Sequence, residues 1–226
     1  MGAIGVFGGS FDPIHIGHLR TACELWQKLS LDEVRFLPCR IPPHRDRPVA
    51  PAELRLQMVR AATEGQPGFV VDDRELKREG PSYSIDTLAS LRADYPARPL
   101  ALLVGMDALL SFPDWHRWRE IFDFAHLIVA HRPGWKPPTA GRMGQLLSRL
   151  MVTTADELFA HPAGRIYVQP VTQLEISSSA IRMLVASGAD PAYLVTDTVR
   201  EIIAASGCYV SPAAARLQRE ETETGA

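Results

Sequence analysis

Ala3-Ile4-Gly5-Val6-Phe7-Gly8-Gly9-Ser10-Phe11-Asp12-Pro13-Ile14-His15-Ile16-Gly17-His18 is the stretch that decides the fold. It opens on an apolar run of strand character, turns at Gly8 and Gly9, and reaches His15 and His18. Over 19–29, apolar side chains then recur at Leu19, Ala22, Cys23, Trp26 and Leu29, the spacing of one helix face. A junction between a buried strand and a helix is where an α/β protein grips phosphate. Glycine lets the backbone approach a ligand, and the free N–H groups of a helix start favour an anion. The histidines add donors that become cationic with small environmental shifts. These residues point to a nucleotide-handling enzyme.

Outward from this junction, residues 34–38 read as a second strand, which completes a βαβ unit. The segment 41–51, rich in proline, arginine and histidine, reads as a loop. Helices are expected over 53–64, 84–95, 141–150, 178–186 and 191–205, and strands over 69–72, 99–105, 126–130 and 166–168. This alternation predicts an α/β fold: a Rossmann-like, doubly wound, mostly parallel sheet with helices on both faces. Ligands in such folds bind beyond the carboxyl ends of the strands, near a topological switch point. Gly8, Pro38, Gly105 and Arg132 all lie at or just after the ends of expected strands and could line one crevice. Residues 1–210 are expected to form a single domain with a helical part at about 178–206, and 211–226 a disordered tail poor in large apolar residues.

With 226 residues the chain can bury a substantial core, and 46% hydrophobic with 22% charged residues suits a soluble globular protein. A net charge of −2 lacks the basic footprint of a nucleic-acid binder but leaves room for a local cationic pocket. Cys23, Cys39 and Cys208 are odd in number, far apart and without a CxxC, so neither a disulfide framework nor a thiolate zinc site is expected. Met1 runs into a strand-like segment with no signal-peptide pattern, and no apolar run has the length of a membrane span. These features predict a cytoplasmic protein, a monomer or small homo-oligomer, with neither nucleic acid nor membrane as partner.

The first cluster matches neither GxxxxGK[ST] nor a GxGxxG after the first strand. An HxxH pair can ligate metal, but no third ligand accompanies it, and no protein metal site is expected. The stretch from Gly9 through His18 resembles the signature of the nucleotidylyltransferase superfamily, whose HxGH element, here HIGH, is shared with class I aminoacyl-tRNA synthetases. That resemblance implies that His15 and His18 hold the phosphates of ATP while a second substrate attacks the α-phosphorus. Ile176-Ser177-Ser178-Ser179-Ala180-Ile181-Arg182 resembles the family's second signature, ISSTxIR. Ser177 and Ser178 are N-cap candidates, and Arg182, about one turn in, could reach a β- or γ-phosphate.

Three further elements resemble those of nicotinate mononucleotide adenylyltransferases. Ile41-Pro42-Pro43-His44-Arg45 is similar to their PPH(R/K) loop. Pro81-Ser82-Tyr83-Ser84-Ile85-Asp86-Thr87-Leu88 is similar to their PSYT-xxTL segment, with Ser84 where threonine is usual. Gly105-Met106-Asp107, and Trp115 beside His116, are similar to their GxD and W(Y/H) elements. The match runs from Gly8 to about Tyr209 and implies a single nucleotidylyltransferase domain. The implied reaction transfers AMP from ATP to nicotinate mononucleotide, giving nicotinate adenine dinucleotide and pyrophosphate, with Mg²⁺ arriving on the ATP rather than in an all-protein site.

The resemblance casts His15, His18 and Arg182 as catalytic. ATP would lie against Gly8, Gly9, Ser10, Phe11, Gly105, Asp107, Ile176, Ser177 and Ser178. Nicotinate mononucleotide would meet His44, Arg45, Tyr83, Ser84, Trp115 and Arg132. Trp115 could stack on the pyridine ring, a contact worth about 1 kcal/mol beyond burial. Backbone N–H groups at Tyr83 and Ser84 could receive the nicotinate carboxylate and discriminate against the amide. Three alternatives stay open: another phosphate acceptor (nicotinamide mononucleotide or phosphopantetheine), a class I synthetase fragment, or a non-catalytic nucleotide-binding regulator. The segments 41–45 and 81–88 weigh against phosphopantetheine, the length and charge against a synthetase, and intact His15, His18 and Arg182 against a regulator.

Overall fold

The computed structural model describes residues 2–43, 48–131, 137–172 and 174–210, and the opening apolar run forms β1 (Ile4–Gly9). There follow α1 (Ile16–Lys28), β2 (Glu33–Pro38), α2 (Ala52–Thr63), β3 (Phe69–Val71), α3 (Arg74–Lys77), α4 (Ser84–Asp94) and β4 (Leu100–Gly105). The second half contains α5 (Met106–Ser111), α6 (Ile121–Phe124), β5 (His126–His131), α7 (Gly141–Leu150), α8 (Ala155–Phe159), β6 (Ile166–Pro170), α9 (Ser178–Ala186) and α10 (Asp197–Ser206). Two 3-10 turns, Phe112–Asp114 and Trp118–Glu120, lie between α5 and α6.

The strands form a six-stranded sheet in the order β3-β2-β1-β4-β5-β6. Every pairing is parallel, where the sequence predicted a mostly parallel sheet. Parallel strands covered on both faces need near-continuous apolar runs, and β4 and β5 supply them. Leu100, Leu102, Val104, Leu127 and Val129 pack on one face with Ile85, Leu88 and Leu91 of α4 and Leu146 of α7. Ala101, Leu103, Ile128 and Ala130 turn to the other face, with Leu25 of α1, Ile181 of α9 and Ile203 of α10. Fully burying such a leucine or isoleucine contributes about 1.5–3 kcal/mol.

The chain reverses its direction of travel across the sheet between β1 and β4. Strand β1 pairs with β2 out to Gly9↔Pro38, but its register with β4 ends at Val6↔Leu102. The two strands therefore part at their carboxyl ends and open the crevice in which this fold class binds ligands.

Several expectations are corrected. The first helix begins at Ile16, not near Leu19, because His15 caps it. The last helix begins at Asp197, not Pro191: residues 192–194 form a turn, and Thr196 caps the helix by accepting from the Val199 N–H. Helices α3, α5, α6 and α8, to which the sequence reading gave no element, are each six residues or fewer, too short for a period to show. The Thr154/Glu157 capping box of α8 was a legible signal nonetheless. The segment 211–226 lies outside the described residues.

Candidate active site

The loop from β1 to α1 is shaped by Phe11, which takes a left-handed φ of 47°. Its ring is buried edge-on to Phe7 and His18, with centroids 5.8 and 5.2 Å away. A Cβ at Gly9 would stand 3.1 Å from that ring and would have to press it back by a few tenths of an ångström, whereas at Gly8 nothing lies within 4 Å and the backbone faces open space. Phe11 thus contributes its backbone to the loop and its side chain to the core.

His15 and His18 cap α1 reciprocally. The His18 N–H donates to His15 Nδ1 at 3.4 Å, and the His15 N–H donates to His18 Nδ1 at 3.3 Å. Each Nδ1 is an acceptor, so the proton of each neutral ring sits on Nε2, which remains a donor. The rings stack with centroids 3.7 Å apart. Burial lowers the His15 pKa to about 4. The expectation that small shifts make both histidines cationic is therefore corrected for His15: it acts as a neutral N–H donor, since a proton on Nδ1 would break the cap. A Cβ at Gly17 would stand 3.0 Å from His15 Nδ1 and 3.7 Å from the Ile176 side chain. Glycine there lets the imidazole lie over the helix start and the second signature approach it.

The second signature closes on the first. Ser177 caps α9 by accepting from the Ala180 N–H at 3.1 Å. The Ser178 hydroxyl donates to the Pro13 carbonyl at 2.9 Å. Arg182 Nη1 donates to the Asp12 carbonyl at 2.7 Å, and Nη2 donates to Ser179 Oγ at 3.3 Å. The guanidinium is half-buried, and its Nη1 also lies 3.6 Å from the Asp12 carboxylate.

Three residues that sequence reasoning missed hold this arrangement. The buried Asp12 carboxylate accepts from the Val49 and Ala50 N–H groups at 2.8 and 3.0 Å and from the Tyr209 hydroxyl at 2.7 Å. Burial, with Asp12 beside it, pushes the Tyr209 phenol well above its ordinary pKa and keeps it a donor. Arg55 is fully buried, and its three nitrogens donate to the carbonyls of Ala50 (3.1 Å), Ser10 (2.6 Å) and Arg40 (3.3 Å). A helical arginine reads as solvated from sequence, which is why its role did not show.

On the far side of the crevice, Gly105 caps α5 and faces open space, and Asp107 stands exposed in that helix's first turn. Tyr83 precedes α4, and its ring lies 4.2 Å from the exposed ring of His116, which the sequence reading named in the W(Y/H) element but did not place in the site. The Ser84 and Ile85 N–H groups open that helix with no acceptor among the described residues. Trp115 is half-buried against Phe112 at 5.4 Å, on the rim of the core. His44, Arg45 and Arg132 lie outside the described residues. Among the described residues, no group of three or more His, Cys, Asp or Glu could hold a metal ion, and no helix is long and apolar enough to cross a membrane.

The cytidylyltransferase-like family model matches residues 6–184. A relative from Aeromonas hydrophila, called "probable nicotinate-nucleotide adenylyltransferase", is 49% identical over 206 residues, spanning 91% of this chain and 96% of its own. A relative of the same name from Methylococcus capsulatus is 45% identical over 207 residues, spanning 91% of this chain and 99% of its own. Among solved structures, the Plasmodium falciparum nicotinic acid mononucleotide adenylyltransferase complexed with NaAD has a TM-score of 0.69 at 17% identity, covering 92% of this chain and 98% of that one, a likeness of fold.

Proposed function

This chain belongs to the cytidylyltransferase-like family and, within it, to the nicotinate-nucleotide adenylyltransferases, and we propose on that premise that it transfers AMP from ATP to nicotinate mononucleotide. A phosphate oxygen of the mononucleotide forms a bond to the α-phosphorus of ATP, the bond from that phosphorus to the β-phosphate oxygen breaks, and pyrophosphate leaves. The attacking oxygen is already anionic, so no general base is needed, and catalysis is positioning with charge stabilisation. The product, nicotinate adenine dinucleotide, belongs to NAD biosynthesis.

The observation that carries this reading is the closure of Ser178 and Arg182 onto Pro13 and Asp12, beside the stacked histidines at the β1/β4 crevice. In this reading the Nε2–H groups of His15 and His18 and the guanidinium of Arg182 take the triphosphate and the charge that develops on leaving pyrophosphate. Gly8, Gly9, Ser10 and Phe11 lend backbone; Gly105, Asp107, Ile176, Ser177 and Ser178 flank the nucleotide. The N–H groups at the start of α4, beside Tyr83, receive the nicotinate carboxylate, and Trp115 and His116 flank the pyridine ring. His44, Arg45 and Arg132 complete the acceptor side, and residues 1–210 act as one domain. Mg²⁺ would be held by the triphosphate and water and, when bound, neutralises phosphate charge. Three unpaired cysteines support a reducing, cytoplasmic setting.

The test is pyrophosphate release with ATP and either nicotinate or nicotinamide mononucleotide. Release with the acid exceeding that with the amide is the expected result; no release with either would sink the reading.

A further inference from the structure

Glu75 is a buried acid on α3, and the reaction as derived makes no use of it. The Thr87 hydroxyl donates to Glu75 Oε1 at 2.6 Å, and the Ser82 hydroxyl is a second polar neighbour that holds the acid's pKa down. Ser82 Oγ already accepts from the Arg40 N–H at 2.9 Å, so its one proton is free for Glu75. Thr87 Oγ1 accepts from Arg78 at 3.3 Å, and the same guanidinium reaches the Tyr83 carbonyl at 3.4 Å. Ser82 and Thr87 bracket Tyr83 and Ser84, the corner at which α4 begins. A leucine would fill the contact between α3 and α4 without the desolvation cost of a carboxyl. Burial raises the Glu75 pKa, and the two hydroxyls oppose that rise. The network continues from Ser82 through the Arg40 backbone to Arg55 and the Ser10 carbonyl of the phosphate loop.

We propose that Glu75 is a positioning residue for the acceptor subsite: through Ser82 and Thr87 it fixes the corner that presents the first N–H groups of α4 to the nicotinate carboxylate. This rests on the reading of that corner given under the proposed function. Glu75→Ala in the full chain is expected to raise KM for nicotinate mononucleotide on the order of tenfold, with KM for ATP within about twofold, and to narrow the preference for acid over amide. Glu75→Gln keeps an acceptor oxygen and should recover most of the loss. Ser82→Ala and Thr87→Val should each raise the same KM, less than additively with Glu75→Ala; they also carry the test if Glu75→Ala does not fold. Equal changes in both KM values, or a lower Tm with both unchanged, would overturn the proposal and leave Glu75 a fold-stabilising residue. A wild-type chain that releases no pyrophosphate with nicotinate mononucleotide would overturn the functional reading and this inference together. A working wild type with unaltered variants would overturn the inference alone.

Discussion

Gly17→Ala separates the proposed catalytic use of His15 from its structural one, because the two respond with opposite sign. Gly17 occupies the second position of α1, and its φ is not in the left-handed region, so alanine fits the backbone. Alanine is favoured over glycine by up to about 1 kcal/mol inside a helix, and by less in a first turn. The added methyl would stand 3.0 Å from His15 Nδ1 and 3.1 Å from Cε1, against an ordinary contact of 3.4–4 Å. The imidazole must therefore yield by about 0.4 Å, and the stacked His18 ring at 3.7 Å restricts where it can go. A displacement of 1 Å at a reacting group can cost ~100-fold in rate, so a fraction of that predicts a fall in kcat on the order of tenfold. The cap bonds at stake are long, 3.3 and 3.4 Å, and their weakening offsets little of the helix gain. Pyrophosphate release at saturating substrates and a thermal melt read the two effects on one sample: lower kcat, with Tm unchanged or slightly raised. In a His15→Ala background the same substitution should cost almost nothing in kcat. An undiminished kcat in Gly17→Ala, or a full loss persisting without the His15 ring, would refute the reasoning.

Stability should fall as pH drops from about 6.5 to 4, because the unfolded chain protonates His15 and His126 while the fold holds each pKa at about 4. His126 is held neutral chiefly by burial, with Nε2 donating to the His161 carbonyl and Nδ1 accepting from the Arg165 N–H. Each histidine contributes up to about 3 kcal/mol once that window is crossed; urea midpoints that stay flat from pH 7 to pH 4.5 would contradict this. Tyr209→Phe removes one donor from the buried Asp12 carboxylate and should cost about 1–2 kcal/mol, seen as a Tm lower by a few degrees; a wild-type Tm would show that the phenol does not hold the loop. Trp115→Ala should raise KM for nicotinate mononucleotide several-fold more than KM for ATP, and equal losses would make Trp115 a core residue only.

The parts of the fold that were legible in sequence are those governed by local rules. The expected helices over 141–150 and 178–186 match α7 and α9, one amphipathic and the other marked by the Ser177 cap. The strand runs were visible because parallel strands buried on both faces must be apolar throughout. The start of α1 was not, since histidine is no usual N-cap and His15 succeeds only with the reciprocal partner at His18. In the site, His15, His18, Ser178 and Arg182 stood out as motif positions, but the residues that hold them did not. Asp12 and Tyr209 meet across 197 positions, and Arg55 and Glu75 belong to types that composition assigns to a solvated surface.

The buried polar residues follow from the crevice itself. Where β1 and β4 stop pairing, backbone carbonyls beyond the strand ends lose the partners a sheet would provide, and buried carbonyls must find others. The Ser10, Arg40 and Ala50 carbonyls receive Arg55; the Asp12 and Pro13 carbonyls receive Arg182 and Ser178. A methionine at position 55 would fill much of the same space and leave three carbonyls without a donor, each costing about 1–3 kcal/mol. Hydrophobic packing therefore cannot build this site, because the separation of strands that admits a nucleotide also creates the polar demand. Arg182 meets that demand at the Asp12 carbonyl with Nη1, which also lies 3.6 Å from the Asp12 carboxylate, and at Ser179 with Nη2, so in the proposed mechanism the interaction that closes the loop also aims the cation offered to phosphate.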